Sequence, residues 1–264
     1  MMRSPLLSPL PLLLAGLLAA FWPVWIWFAR GVADQSNDYT SVLATATAML
    51  VLVRTSCVRP PSFALALPAA AMVLYIAAVV YGAATAIGAA FACLALAALA
   101  SAYRLGKRCD LAFAALCMLA LPLAATLQFY LGYPLRVVAG VLTAALLKMN
   151  GLAVLREGAS LVWDGRVIAI DAPCSGVRML WTGCYLACAL CALLGMGAGR
   201  TCAALVGAIG VVVMANALRA ASLFYMEAGI VMLPGAAHEA IGMVCFVAAA
   251  LAILALVQAI RGKS

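Results

Sequence analysis

Long apolar runs separated by short polar interruptions dominate the chain. A helix needs about 20 consecutive apolar residues to cross a bilayer. By that measure the runs place spans near 5–28, 40–53, 63–81, 83–103, 111–129, 175–194, 202–224 and 239–260. The second is the shortest. The first ends in Phe21-Trp-Pro-Val-Trp-Ile-Trp-Phe28, an aromatic belt suited to a membrane interface, so it reads as a span rather than a cleaved leader. The pattern therefore predicts an all-α membrane protein of about eight transmembrane helices.

The pattern changes between Gln128 and Asp171. Residues 135–149 carry apolar positions at helical spacing, with Arg136 and Lys148 near the ends, which predicts a helix lying in the interface. Leu161-Val162-Trp163, then Asp164-Gly165, then Val167 to Ile170 read as two strands joined by a tight turn. A small β-hairpin is thus expected on the outer face before the sixth span. It would shape a site, dock an extended peptide by strand addition, or serve only as a lid. Three parts follow: 1–126 with spans one to five, 127–173 with the interfacial helix and hairpin, and 174–264 with spans six to eight.

Composition narrows the classes. The chain is 69% hydrophobic and 9% charged, whereas soluble proteins are about 45–50% apolar and about 25% charged. A cytosolic enzyme, a disordered chain and a secreted disulfide scaffold are excluded. The net charge of +8 arises from 16 Lys and Arg against 8 Asp and Glu. These basic residues are scattered singly between apolar runs. They read as topology signals and lipid head-group contacts, not as a nucleic-acid surface. With the N-terminus inside, nine basic residues fall inside and seven outside, and five of those seven lie between Arg136 and Arg178 around the one long polar interval. Of ten cysteines, Cys93, Cys117, Cys184, Cys188, Cys191, Cys202 and Cys245 sit in apolar runs as small hydrophobic residues. No histidine or other polar ligand accompanies them at metal-binding spacing, so neither metal nor cofactor is expected.

Polar residues near the ends of spans are costly in a bilayer and call for a reason. Three such places share one outer depth: Asp171-Ala-Pro-Cys174-Ser175-Gly176-Val-Arg178, Asn216-Ala-Leu-Arg219-Ala-Ala-Ser222, and Pro234-Gly-Ala-Ala-His238-Glu239-Ala-Ile-Gly242. Short loops make the last three spans antiparallel neighbours, so Cys174, Arg219 and His238 can meet. Singly, each has an ordinary explanation: a small buried residue, a snorkelling arginine, an interface histidine. Together they form a catalytic set. Cys174 follows a proline at a helix start, where free N–H groups and the helix dipole stabilise a thiolate. His238, the single histidine, can take and return a proton. Arg219 is permanently charged and carries a fork of donors for an oxyanion or thiolate. Asn216 shares a helix face with Arg219 and can orient it. Ser175 and Gly176 allow close backbone approach, and Arg178 falls one turn beyond Cys174. A transporter lined by these polar residues, a membrane acyltransferase working through a cysteine thioester, and a scaffold without chemistry stay open on this evidence.

The same blocks carry a resemblance. Pro173-Cys174-Ser175-Gly176-Val177-Arg178, Asn216-x-x-Arg219 and His238-x-x-x-Gly242, in that order, resemble the three motifs of the exosortase/archaeosortase family. Leu127-Gln128 and Gly132-Tyr-Pro-Leu-Arg136 are similar to the family's segment before the hairpin. The histidine of the third block is similar to the bacterial exosortases. The resemblance implies a multi-pass cysteine transpeptidase or protease, with Cys174 as nucleophile and Arg219 and His238 as partners. It implies membrane-anchored protein substrates with C-terminal sorting tails, often of the PEP-CTERM type linked to exopolysaccharide. It also implies a place in the inner membrane, with the active site facing the periplasm or cell exterior.

Overall fold

The computed structural model describes residues 10–34, 40–169, 175–232 and 234–262. The chain divides into two compact units, Met1–Leu123 with Cys191–Ala198, and Ala124–Leu190 with Gly199–Ser264.

The first unit is helical. It contains α1 (Leu10–Ala20), α2 (Trp22–Ala33), α3 (Thr40–Arg54), α4 (Ala66–Val80), α5 (Thr85–Ala100) and α6 (Leu111–Leu119). The expected first span is two helices bent by 73° at Phe21. Pro23 explains the break: it has no N–H for the carbonyl four residues back, and its ring collides with that turn. The Phe21 carbonyl starts the second helix, accepting from the Val24 N–H at 2.9 Å and the Trp25 N–H at 3.3 Å. Phe21 is fully buried edge-on against Tyr75, 4.8 Å between ring centres. The alanine and glycine face of α5 packs into this core, and a Cβ on Gly88 would already touch the Tyr75 ring at 3.6 Å. The helix α5 continues through a π-helical turn, Ser101–Leu105, and together they cover 21 residues, matching the fourth expected span.

The second unit holds α7 (Ala124–Met149), α8 (Val177–Leu193), α9 (Ala198–Glu227), α10 (Ala236–Arg261) and three strands. The expected fifth span, 111–129, is split. α6 stops at Leu119, and α7 starts at Ala124 and runs 26 residues with Pro134 inside it. Pro122 lies in the interruption and cannot continue a helix. Residues 135–149 are therefore the second half of one long helix, not a separate element.

Among the described residues four helical segments have the length and apolarity to cross a membrane: 85–105, α7, α9 and α10, so the expected eight spans are matched only in part. The bent α1–α2 pair would make a fifth. α3, α4 and α8, at 15, 15 and 17 residues, are apolar but short. At about 1.5 Å per residue they reach roughly 22–26 Å. Chain composition and these helices make the protein a multi-pass membrane protein.

α8, α9 and α10 meet through glycines. A Cβ on Gly183 would lie 2.5 Å from Val212 and 3.2 Å from Ile253. Gly207 faces Leu256 as closely, at 2.4 Å. Small residues allow such backbone approach where lipid offers no hydrophobic drive for helix association. The contacts Gly207 to Leu256 and Gly242 to Arg219 run in opposite senses along α9 and α10, so those helices are antiparallel.

The hairpin exists and gains a strand. β1 (Leu155–Glu157), β2 (Ser160–Trp163) and β3 (Arg166–Ala169) form an antiparallel sheet with β2 central, Trp163 opposite Arg166 and Leu161 opposite Ile168. Asp164 and Gly165 both have positive φ, 49° and 72°, as a two-residue hairpin turn of this hand requires. Leu161 and Val154 are buried with Leu147 of α7 and Phe224 of α9. Trp163 stacks edge-on to Phe224 at 6.1 Å, and Asn150 donates to the Tyr225 hydroxyl at 3.1 Å. The sheet is thus fixed to the ends of α7 and α9.

Candidate active site

The expected site residues fall on three helix ends of the second unit. Ser175 and Gly176 immediately precede α8, Asn216 and Arg219 lie in the C-terminal half of α9, and His238 lies in the first turn of α10. Cys174 and residues 170–173 lie outside the described residues.

Gly176 and Asn216 are in direct contact. Gly176 has φ +79°, and a Cβ there would sit 2.8 Å from the Asn216 carboxamide. Both the left-handed backbone and the close side chain demand glycine. Asn216 is buried in the stripe that α9 turns inward with Thr201, Ala204, Ala208 and Val212. One turn further, Arg219 lies flat against α10. A Cβ on Gly242 would meet the Arg219 Nε at 3.3 Å and Cζ at 3.5 Å. Gly242 is one turn after His238, so the arginine and the histidine-bearing end of α10 share this end of the helix pair. Arg219 makes no hydrogen bond among the described residues, and its Nε is shielded from solvent. Arg219 is half-buried, and a guanidinium whose donors are not taken up by the described residues suits a site that accepts a negative charge.

Ser175 is almost fully buried and donates its hydroxyl to Gln128 Oε1 of α7 at 3.2 Å. The Val177 N–H reaches the same hydroxyl at 3.5 Å, a long contact of helix-capping type. Gly132 makes room for Gln128, since a Cβ there would come within 2.9 Å of its amide nitrogen. Leu135, Val138 and Ala139 of α7, with Leu180 and Val212, close around Ser175, Gly176 and Asn216. The remaining cavity of about 10 Å³ has room for about one water molecule.

Arg178 is exposed on the first turn of α8, and its carbonyl accepts from Thr182 Oγ1 at 2.9 Å. Gln128 is the residue the expected site omits. Its signal was a carboxamide between Leu127 and Phe129 in an otherwise apolar run, where a polar side chain needs a partner. No group of three or more metal-ligating side chains occurs among the described residues.

Comparison with curated proteins and with solved structures gives no match. The family model described as transmembrane exosortase matches residues 15–255. That match takes in Gln128, the Ser175-Gly176 turn, Asn216, Arg219, His238 and Gly242 alike, and it covers nearly the whole chain. The chain belongs to the transmembrane exosortase family.

Proposed function

We propose that this protein is an integral-membrane cysteine transpeptidase or protease that cleaves C-terminal sorting tails of membrane-anchored proteins. The tails are PEP-CTERM-like in this reading, and the reaction takes place at the outer face of the inner membrane. Family membership supports the class. The observation that carries the site assignment is the convergence of the Ser175-Gly176 turn, Asn216 with Arg219, and the Gly242 turn of the His238 helix.

In this mechanism the substrate's tail helix lies beside α8 to α10 and presents its cleavage motif near Cys174. The Cys174 thiolate attacks the scissile carbonyl. Arg219, with donors unused, stabilises the oxyanion. The C–N bond breaks as His238 delivers a proton to the leaving amine of the tail, and a thioester to Cys174 remains. His238 then takes a proton from an incoming amine or water, which attacks the thioester and restores the thiolate. Asn216 holds Arg219 in register, and Arg178 assists at the mouth of the site.

The test compares membrane and secreted proteins from cells carrying the parent chain, Cys174→Ala or Cys184→Ala. Proteins that keep a hydrophobic C-terminal tail only in Cys174→Ala cells are the expected result, and they are the substrates. Equal processing in all three would sink the assignment. Loss of an acyl group from an acceptor, with no retained tails, would instead favour acyl transfer through the same cysteine.

A further inference from the structure

The turn that follows the proposed nucleophile is held from two sides. From α9, the Asn216 carboxamide sits against Gly176 so closely that no Cβ fits. From α7, Gln128 Oε1 accepts the Ser175 hydroxyl at 3.2 Å. The first contact is steric and the second is directional. A serine hydroxyl alone can rotate through several acceptors. Here it is committed to one, 47 residues earlier in the chain.

Two further features show that α7 is shaped for this contact. Gly132, one turn after Gln128, is buried, and its missing side chain leaves the space the Gln128 amide occupies. Leu135, Val138 and Ala139 continue the same face and close the small cavity around Ser175 and Gly176. Ser175 is almost fully buried, so at its end of the hydrogen bond water competes weakly.

We infer that Gln128 is a positioning residue for the reaction: through Ser175 it fixes the backbone immediately after Cys174. This rests on the function proposed above, in which Cys174 is the nucleophile. Misplacing a nucleophile by about 1 Å costs about a hundredfold in rate even when the substitution is remote. A side chain that holds the adjacent residue is therefore a rate determinant without touching substrate. Gln128 keeps its acceptor oxygen on Ser175 and leaves the catalytic charges to Arg219 and His238.

The test uses the full-length protein in cell membranes, with parent, Cys174→Ala, Gln128→Leu, Gln128→Glu and Ser175→Ala chains. Tail processing is measured per molecule of membrane-inserted protein, and alkylation of the Cys174 peptide is followed by mass spectrometry across pH. Gln128→Leu is expected to slow processing about tenfold, the upper range for one intramolecular hydrogen bond, at an unchanged membrane level. Ser175→Ala should slow it to a similar degree, and the double variant should be no worse than either single. Gln128→Glu keeps the acceptor. It should recover most of the rate at each pH where the thiolate is present, and shift Cys174 alkylation to higher pH because a carboxylate disfavours the nearby thiolate.

Two outcomes would overturn the inference. One is parental processing and alkylation in Gln128→Leu. The other is a loss that follows the amount of inserted protein, with no shift in the alkylation profile of Gln128→Glu. Processing that survives in Cys174→Ala would defeat the proposed function itself. Processing lost there but untouched in Gln128→Leu would defeat only the role of Gln128.

Discussion

Each unit of this apolar chain buries a cluster of polar residues, and the two clusters are completed differently. In the first unit Asp110 is buried beside the π-helical turn that ends α5. It accepts from Lys107 at 2.6 Å and from the Phe113 N–H at 2.9 Å, while its own N–H donates to Ser101 Oγ at 3.1 Å. Arg104, in the same turn, donates to the Leu52 carbonyl and reaches Cys57 Sγ at 3.5 Å. The charge of the carboxylate is answered, and it caps α6. In the second unit Ser175 and Gly176 are held by Gln128 and Asn216, yet Arg219 lies against Gly242 with no hydrogen bond among the described residues. Each cluster leaves one arginine Nε without a partner among the described residues, but the terminal nitrogens of Arg104 are both bonded, whereas Arg219 is left available beside a fixed frame. A closed cluster stabilises, whereas a half-buried cation with donors to spare suits a charge that arrives later.

The largest effect that separates the two belongs to Arg219. Arg219→Leu should reduce tail processing by about 10²–10³, the usual loss for one oxyanion donor. The heat resistance of the purified protein in detergent should change little, because Arg219 is half-buried and makes no hydrogen bond among the described residues that the substitution would remove. Arg219→Lys should recover little, since a point charge does not reproduce the planar fork. A fall in heat resistance with processing per molecule intact would reverse the comparison and make Arg219 a structural residue.

Gly176 comes next. Gly176→Ala meets both a left-handed backbone and the Asn216 carboxamide. Strain of this kind costs about 1–3 kcal/mol, and processing should fall at least tenfold. Adding Asn216→Ala removes the colliding side chain but not the φ of +79°, so stability measured by heating in detergent should recover only in part. Full recovery would show that the collision alone demands glycine there. At Asp110 the direction inverts: Asp110→Ala should lower heat resistance by about 1–2 kcal/mol for the lost helix cap and leave processing per folded molecule unchanged.

Much of this contrast is visible in the residues themselves, and the parts that are not have physical reasons. The Asn216-x-x-Arg219 pair stands out because two polar residues share a face of an apolar helix, and the structure places them at one end of α9. The Asp164-Gly165 turn is equally legible, since only a few residue types accept positive φ. Strand β1 is not, because Leu155-Arg156-Glu157 alternates too briefly and every one of its residues is exposed. The breaks at Phe21 and after Leu119 lie next to Pro23 and Pro122, but hydropathy averages over such points and merges the flanking helices. Gln128 is legible as a polar residue in an apolar run, but its contact is not. Its partner lies 47 residues away, and only the fold brings the two together.

The smallest effect concerns thiols, and it tests whether the closed cluster also quiets reactivity. Cys109 adjoins Asp110 in the loop before α6. Burial and, to a lesser degree, the Asp110 carboxylate push its thiol above the ordinary range. Both favour the neutral thiol, so the thiolate fraction at neutral pH is reduced and rises only as the solution becomes more alkaline. Peptide-resolved alkylation at neutral pH should therefore modify Cys109 more slowly than an exposed thiol such as Cys57, with the gap narrowing as pH increases. Asp110→Asn removes the carboxylate contribution but leaves the burial, so Cys109 labelling at a fixed pH should increase modestly without reaching the Cys57 rate. Cys174, in the proposed function, behaves in the opposite sense and reacts as a thiolate at neutral pH. If Cys109 and Cys174 instead alkylate with the same pH profile, the second cluster lends its cysteine no activation, and the catalytic reading of Arg219 loses its main chemical consequence.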